Sequence, residues 1–447
     1  MDKDNILKLL ESRSYKEVRE LLETMYPVDV ALMLEELEIK EMILTFRLLA
    51  KVEAAETFSH MNSEDREHLI NALTDSELEE VMAEMYIDDT VDVLEEMPAN
   101  VVDRLLMMVA DERLRSLINV LLQYPEDSAG SIMNVDYIGL RRDMTVADAI
   151  MKIRQVGLNK ETIYTCYVTK KRKLIGSIDV KDLLTSSDGK LIEDIMQTNL
   201  LFANTHDDKE EVANMINKYG LVAIPIVDNE MCMVGIVTVD DAMIVLQEEA
   251  TEDMSRMAGV APNEASYFGT SVFQHAKNRS PWLLFLMLSA TVTGMILAYY
   301  EAAMAAMPIL ITFIPMLMGT GGNCGSQSST LIIRGLALDE IEFKDILRVI
   351  FKEIRIAVLV GSFLAVVNGL RIYLMYDRDL MMAVAIGITM VAVICLAKVV
   401  GSTLPLIAYK CGLDPALMAA PLITTLLDTS TILVYFLIVT VIFQNRL

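Results

Sequence analysis

The chain has 447 residues, 53% of them hydrophobic, and a formal net charge of −25. The charge is uneven, because residues 1–277 hold 53 acids and 27 bases while residues 278–447 hold 10 acids and 11 bases. A surface this acidic repels the phosphate backbone of DNA and RNA, so nucleic-acid binding is disfavoured. Five cysteines and four histidines show no zinc or disulfide spacing, which indicates free thiols in a reducing compartment.

Residues 1–130 predict short amphipathic helices, with no basic and apolar segment before them, so we expect a cytoplasmic region. The stretch VDVALMLEEL at 28–37 aligns with DDTVDVLEEM at 88–97, with AAETFSHM at 54–61 as a weaker copy. This repeat favours an all-α superhelical N domain. Its 31 acids against 12 bases fit either a solvated acidic face or a surface that responds to divalent cations.

Residues 131–247 repeat a pattern of strand, turn, strand and helix. IGSIDVKDLL begins at Ile175, and VGIVTVDDAM follows 59 residues later. The pattern resembles a tandem pair of α/β CBS domains, with Gly176 and Gly235 expected at hairpin turns. The resemblance implies that Asp182 and Asp241 contact the ribose of an adenine nucleotide. A helix N-cap is the alternative role, and the tandem acids at 240 and 241 also fit cation binding.

Residues 248–277 predict a connecting helix with an acidic start. Glu248 and Glu252 are four residues apart, as are Glu249 and Asp253, so like charges face each other along the helix. A divalent ion, a neighbouring domain or simple solvation would relieve this repulsion.

Residues 278–447 have the hydropathy of a membrane domain with five helices. The expected spans are 281–300, 307–333, 353–375, 380–408 and 415–443, and the pairs Ser280-Pro281 and Asp414-Pro415 are expected to begin helices. Eight bases lie near the span ends on the side of Lys277, against Arg371, Arg378 and Arg446 on the other. This asymmetry predicts that the N-terminal region lies inside and the C-terminus outside.

Asp428 is the only charged residue between Pro415 and Gln444. A lone carboxylate near the middle of a span costs about 2.5–3.5 kcal/mol, so it calls for an ion, water or another side chain. The second span contains GTGGNCGSQSST at 319–330, which would allow either a loosened helix along a water-filled path or close helix packing.

The order of these parts, together with GGNCGSQ, EEATED at 248–253 and GLDPALMAAPLITTLLD at 412–428, resembles the MgtE family of magnesium transporters and channels. The resemblance implies a homodimer in the plasma membrane, with a pore lined by spans two and five and with Asp428 at its ion site. Backbone carbonyls near Ala420 and Thr424 and the side chain of Asn323 would complete this site. Closure by cytosolic Mg²⁺ is implied at Glu248, Glu249, Glu252, Asp253, Asp88, Asp89 and Asp241.

The sequence thus predicts a magnesium channel rather than an enzyme, with Mn²⁺, Co²⁺ and Ni²⁺ as other candidate ions and ATP as a candidate CBS ligand. An ion-coupled secondary transporter and a membrane-anchored nucleotide sensor are the alternatives.

Two residues depart from the family pattern. Thr431 stands where glycine is commoner, and Lys398 lies at a depth where it could form an ion pair with Asp428.

Overall fold

The computed structural model describes residues 2–109, 111–262, 267, 270–338, 340–376, 379–418 and 420–444. The chain forms two compact units that divide between Glu248 and Glu249. The first unit contains the acidic helical region and the α/β repeats, and the second contains the long apolar helices.

Among the described residues from Asp2 to Leu121, all regular secondary structure is helical. The helices are α1 (Asp2–Glu11), α2 (Tyr15–Leu22), α3 (Pro27–Glu35), α4 (Ile39–Phe46), α5 (Lys51–Ser59), α6 (Ser63–Ala72), α7 (Asp75–Glu84), α8 (Ile87–Glu95), α9 (Ala99–Met108) and α10 (Glu112–Leu121). Helix α3 packs on α5, α5 on α7 and α7 on α9. Stacking of every second helix is the geometry of a superhelix, so the predicted all-α superhelical N domain is confirmed.

Ion pairs join successive layers of this superhelix. Arg66 lies 2.7 Å from Glu96, and Arg47 lies 3.0 Å from Glu77. The partners in each pair are 30 residues apart. The structural period is therefore half of the 60-residue offset visible in the sequence.

Two α/β repeats with the same topology follow. The first contains β1 (Gly139–Arg141), α11 (Val146–Val156), β2 (Thr165–Lys170), β3 (Lys173–Asp179) and α12 (Val180–Thr185). The second contains β4 (Ala203–Asn204), α13 (Lys209–Tyr219), β5 (Ala223–Val227), β6 (Met233–Thr238) and α14 (Val239–Met257). In each sheet the first strand pairs parallel to the second, and the second pairs antiparallel to the third.

The two repeat glycines lie inside strands β3 and β6, so their predicted place in hairpin turns is wrong. A Cβ on Gly176 would lie 2.6 Å from Sδ of Met196, and one on Gly235 would lie 2.7 Å from the carbonyl oxygen of Asn134. Glycine is needed because another segment covers each strand closely. The first hairpin turn instead contains Arg172, with φ of 69°.

Helix α14 begins nine residues before the predicted connecting helix and ends at Met257. The next helix, α15 (Val272–Tyr299), begins after Ser271, whose Oγ accepts a hydrogen bond from the backbone N–H of Gln274. Pro281 lies inside α15, so the prediction that Ser280-Pro281 begins a helix is wrong. The Ser271 cap starts the helix earlier, and the helix continues with one backbone hydrogen bond fewer at the proline.

The remaining helices are α16 (Glu301–Ala306), α17 (Ile314–Ala337), α18 (Ile346–Met375), α19 (Leu380–Lys410) and α20 (Ala420–Ile442). Among the described residues, Val272–Tyr299, Leu380–Lys410 and Pro415–Ile442 are long and apolar enough to cross a membrane. Helices α17 and α18 coincide in position with the second and third predicted spans. Helix α19 packs on α17, α18 and α20, and it thereby forms the centre of the second unit.

Candidate ion sites

Glycines bring α17 into close contact with its neighbours. A Cβ on Gly322 would lie 2.9 Å from Thr424 on α20, and one on Gly325 would lie 2.2 Å from Leu427. Gly401 on α19 meets backbone rather than a side chain, because its Cβ would lie 2.3 Å from the carbonyl oxygen of Gly325. Helix α17 remains continuous through these glycines. Of the two interpretations of the glycine-rich stretch, close packing therefore applies.

Asp428 lies at the edge of this helix contact and is half-buried. Its carboxylate has no hydrogen-bond or ion-pair partner among the described residues. One turn further along α20, Thr431 is 1% exposed, and its hydroxyl also lacks a partner in the described part. Ala420 begins the helix, but its side chain lies outside the described residues.

A polar cavity of about 640 Å³ opens on another face of α17. It is lined by Asn323, Ser326, Gln327, Thr330, Leu331 and Lys398. Asn323 lines this cavity, whereas Asp428 does not.

Lys398 pairs with Glu353 rather than with Asp428. The Nζ atom of Lys398 lies 3.5 Å from Oε2 of Glu353 and donates a hydrogen bond of 3.1 Å to Oγ of Ser328. The hydroxyl of Ser328 in turn donates to Glu353 at 2.7 Å. The ion pair between Lys398 and Asp428 considered from the sequence is therefore not formed, because Glu353 is the nearer partner.

A second group of acids surrounds the start of α8. The side-chain amide of Asn134 donates hydrogen bonds to Asp88 at 2.8 Å and to Glu161 at 3.0 Å. The other carboxylate oxygen of Asp88 is buried without a partner in the described residues. The predicted residues Asp89 and Asp241 lie close enough to Asp88 for its charge to act on theirs.

Burial and mutual repulsion raise the pKa of these carboxyl groups. Burial is the largest cause at each of them, and the charge of Asp88 adds to it. The pKa is about 6 at Asp89, about 7 at Asp241 and about 8 at both Asp92 and Glu161. A cation placed among these groups would favour their charged forms.

The acids nevertheless do not form a closed metal cage. No three acidic, imidazole or thiol groups within the described ranges converge to hold an ion. The unpartnered oxygen of Asp88 and the repelling neighbours fit an ion that keeps most of its water, and Mg²⁺ binds in this way.

The predicted N-cap role for Asp182 and Asp241 is wrong. Both acids lie at the third position of their helices, α12 and α14. Asp241 accepts a hydrogen bond of 2.6 Å from Oγ1 of Thr238, the residue just before α14.

The acidic end of α14 is connected to the start of the last apolar helix by one arginine. Arg256 forms ion pairs with both Glu252 and Asp414. Burial and the charge of Asp414 raise the pKa of Asp253, while Arg256 opposes that shift. Asp414 also accepts a hydrogen bond of 2.7 Å from the backbone N–H of Ala416, as its predicted capping role requires. Glu248 and Glu249 lie on the preceding turn of the helix.

Sequence reasoning missed Asn134, Glu161, Arg256 and Glu353. Only Glu353 left a usable signal, because it is the one acid in α18 and a buried lysine in a neighbouring span requires an acid.

Comparisons with known proteins agree with this arrangement. A family model described as a divalent cation transporter, MgtE, matches residues 314–438. The MgtE intracellular N domain matches 25–127, and CBS domains match 129–189 and 192–248. The cytosolic domain of the Mg²⁺ channel MgtE, solved in complex with ATP, has a TM-score of 0.52 and 32% identity; the match covers 54% of this chain and 99% of that structure.

Two full-length relatives align with nearly the whole chain, including its long apolar helices. The magnesium transporter MgtE of Thermus thermophilus is 33% identical, over 96% of this chain and 96% of the relative. That of Bacillus subtilis is 30% identical, over 97% of this chain and 96% of the relative. The chain therefore belongs to the MgtE family.

Proposed function

We propose that this protein carries Mg²⁺ across the plasma membrane as a passive channel with Asp428 at its ion site. The observation that carries this proposal is the half-buried carboxylate of Asp428, unpaired among the described residues, on an apolar helix packed against α17. Such a group requires a counter-charge. A hydrated divalent ion supplies one, because Mg²⁺ binds through one or two carboxylates and retains several waters.

A homodimer is the assembly that this site favours. Asn323, Gln327 and Thr330 are exposed polar residues along one face of α17. Only 6% of the apolar window of α15 is buried within the chain. A second copy would cover part of this surface and would bring two Asp428 carboxylates together, while lipid would cover the rest.

The proposed orientation follows the distribution of bases. Lys344, Arg348 and Lys352 lie near the start of α18, and Lys410 ends α19. With the N domain and the CBS pair in the cytoplasm, five spans place the C-terminus outside. Arg378 and Arg446, two of the three opposing bases, lie outside the described residues.

The cytosolic acids support closure by magnesium. Around Asp88 several carboxyl groups repel one another when they are ionised, and a divalent ion would hold the ionised groups together. The acids of α14, Glu248, Glu249, Glu252 and Asp253, would act at a second place, near Asp414. Binding at both places would stabilise one arrangement of the cytosolic part, which we propose is the closed one.

Nucleotide binding is a further property that the CBS pair would support. The ATP complex of the related cytosolic domain favours it. Asp182 is the better candidate for the ribose contact, because Asp241 already accepts a bond from Thr238 and lies near Asp88.

Flux of Mg²⁺ through purified protein in liposomes tests the transport proposal. We expect a current that follows the magnesium gradient and does not depend on a pH gradient, and we expect Asp428→Asn to abolish it. Full flux in that variant would contradict the pore assignment. Dependence on a proton gradient would instead indicate a coupled transporter, and nucleotide binding without flux would indicate a sensor. Mn²⁺, Co²⁺ and Ni²⁺ in the same assay would define selectivity.

A further inference from the structure

Glu353 and Asp428 are the only acids in helices α15, α17, α18, α19 and α20. Their surroundings differ. Asp428 has no partner among the described residues, whereas Glu353 has the ammonium of Lys398 and the hydroxyl of Ser328. The side chains of Lys398 and Glu353 are 7% and 9% exposed, so the pair is almost fully removed from solvent.

Lys398 separates Glu353 from the polar cavity. It is the only lining residue outside α17, and Glu353 does not line the cavity in the described part of the chain. Lys398 thus borders the space lined by Asn323 and Gln327, and its ammonium contacts the buried carboxylate of Glu353.

A buried carboxylate needs a positive partner, since an unpaired charge in such a place is strongly unfavourable. Two partners are chemically available at a cavity open to ions: the tethered ammonium of Lys398 or a metal cation. The ammonium excludes the metal by occupying its place and by repelling a second positive charge.

We propose that Lys398 is a specificity-determining residue for transport, because it supplies the permanent counter-ion of Glu353 and so prevents divalent cations from binding there. Asp428 is then the only carboxylate in the spanning helices that is available to a passing ion. The inference rests on the proposed function, in that the cavity is taken to border the ion path.

Three variants separate the charge of Lys398 from its packing. Lys398→Ala leaves Glu353 open to the cavity. The double variant K398A/E353Q leaves the same space without the carboxylate, so it is the matched control. Glu353→Gln leaves an unbalanced ammonium beside the cavity. Lys398→Gln, which keeps a hydrogen-bond donor towards Ser328, provides a second measurement if K398A does not fold.

Binding of Mn²⁺ to the detergent-solubilised full chain, counted by electron paramagnetic resonance, is the first measurement. We expect K398A to bind one more Mn²⁺ per chain than the unchanged protein, and the double variant and E353Q to bind no more than it does. Lys410→Ala is a control for loss of a lysine from the same helix. The Lys410 ammonium lies over the ring of Phe343, so this variant removes a lysine without exposing Glu353.

Flux of Mg²⁺ is the second measurement. We expect K398A to lose about tenfold in flux, because the exposed carboxylate traps the ion. We expect E353Q to lose about as much and to have a raised KM, because one unfavourable positive charge then stands beside the cavity. The double variant should return to within about threefold of the original flux, because its cavity is again neutral.

Two outcomes would overturn the proposal and leave the pair with a purely structural role. One is an equal loss of flux in K398A and in the double variant, and the other is an unchanged Mn²⁺ count in K398A. Asp428→Asn distinguishes this failure from failure of the pore assignment. If that variant keeps full flux, the proposed function fails, while the Mn²⁺ count of K398A still reports on the pair.

Discussion

The side-chain amide of Asn134, at the edge of the second sheet, lies 2.8 Å from Oδ2 of Asp88 in the helical N domain. A single neutral donor thus serves two carboxylates, Asp88 and Glu161, in a group of acids with raised pKa. We therefore expect the contact between the helical domain and the CBS pair to respond to protons and to cations.

The first prediction concerns pH. The pKa is raised to about 8 at Asp92 and Glu161 and to about 7 at Asp241, compared with an ordinary value near 4. The docked state therefore binds more protons than the separated state, and its stability falls as pH rises from about 4 to 8. Without divalent cations, we expect amides of α8 to exchange hydrogen several-fold faster at pH 8.5 than at pH 6, after correction for intrinsic rates.

Addition of Mg²⁺ at pH 8.5 should restore that protection, whereas NaCl at equal ionic strength should not. Equal protection of α8 at both pH values would contradict the assignment of these acids as a repelling group.

The second prediction separates stability from transport at Asp428. Because this carboxylate has no partner among the described residues, Asp428→Asn removes a desolvated charge without breaking an ion pair. We expect its thermal midpoint in detergent to be equal to or above that of the original protein, although Mg²⁺ flux is lost. A marked fall in the midpoint would indicate a structural partner for Asp428.

The third prediction compares two glycines. Gly401→Ala directs a Cβ to 2.3 Å from the backbone oxygen of Gly325, which cannot move without shifting α17. We expect a loss of roughly 1–3 kcal/mol or more in the free energy of unfolding. Gly319→Ala is the matched control, since nothing lies within 4 Å of its Cβ, and it should gain about 0.5–1 kcal/mol. Chemical denaturation of both variants in the same detergent is the measurement, and equal stabilities would refute the close packing.

The fourth prediction concerns Arg256. Removing its charge in Arg256→Gln leaves Glu252, Asp253 and Asp414 to repel one another across the contact between α14 and the start of the last helix. We expect half-maximal closure to require several-fold more internal Mg²⁺ in patch recordings. Arg256→Lys keeps the charge and should change closure less. Neutralising all four acids, Glu248, Glu249, Glu252 and Asp253, should weaken closure further, and an unchanged Mg²⁺ response would exclude this contact from gating.

The sequence predicted those features that periodicity and composition encode. The repeat around Val28 and Asp88 predicted the superhelix, and the duplicated strand pattern predicted the CBS pair. It could not identify Asn134 or Arg256 as connecting residues, because their partners are 46 and 158 residues away. The predicted helix start at Pro281 was wrong for a local reason, because a Ser-Pro pair nine residues inside a well-capped helix has the same sequence pattern as one at a helix start.

The glycines of β3 and β6 have a consequence for how the α/β repeats fold. Ser177, beside Gly176, pairs with Gln197 from the segment that leads into the second repeat, and Ile236, beside Gly235, pairs with Asn134 from the segment that leads into the first. In each sheet, the outer edge of the third strand is therefore paired with the segment that leads into the other repeat. A lone repeat would expose an unpaired strand edge and tend to aggregate. The pair is therefore the smallest part of this region that we expect to fold.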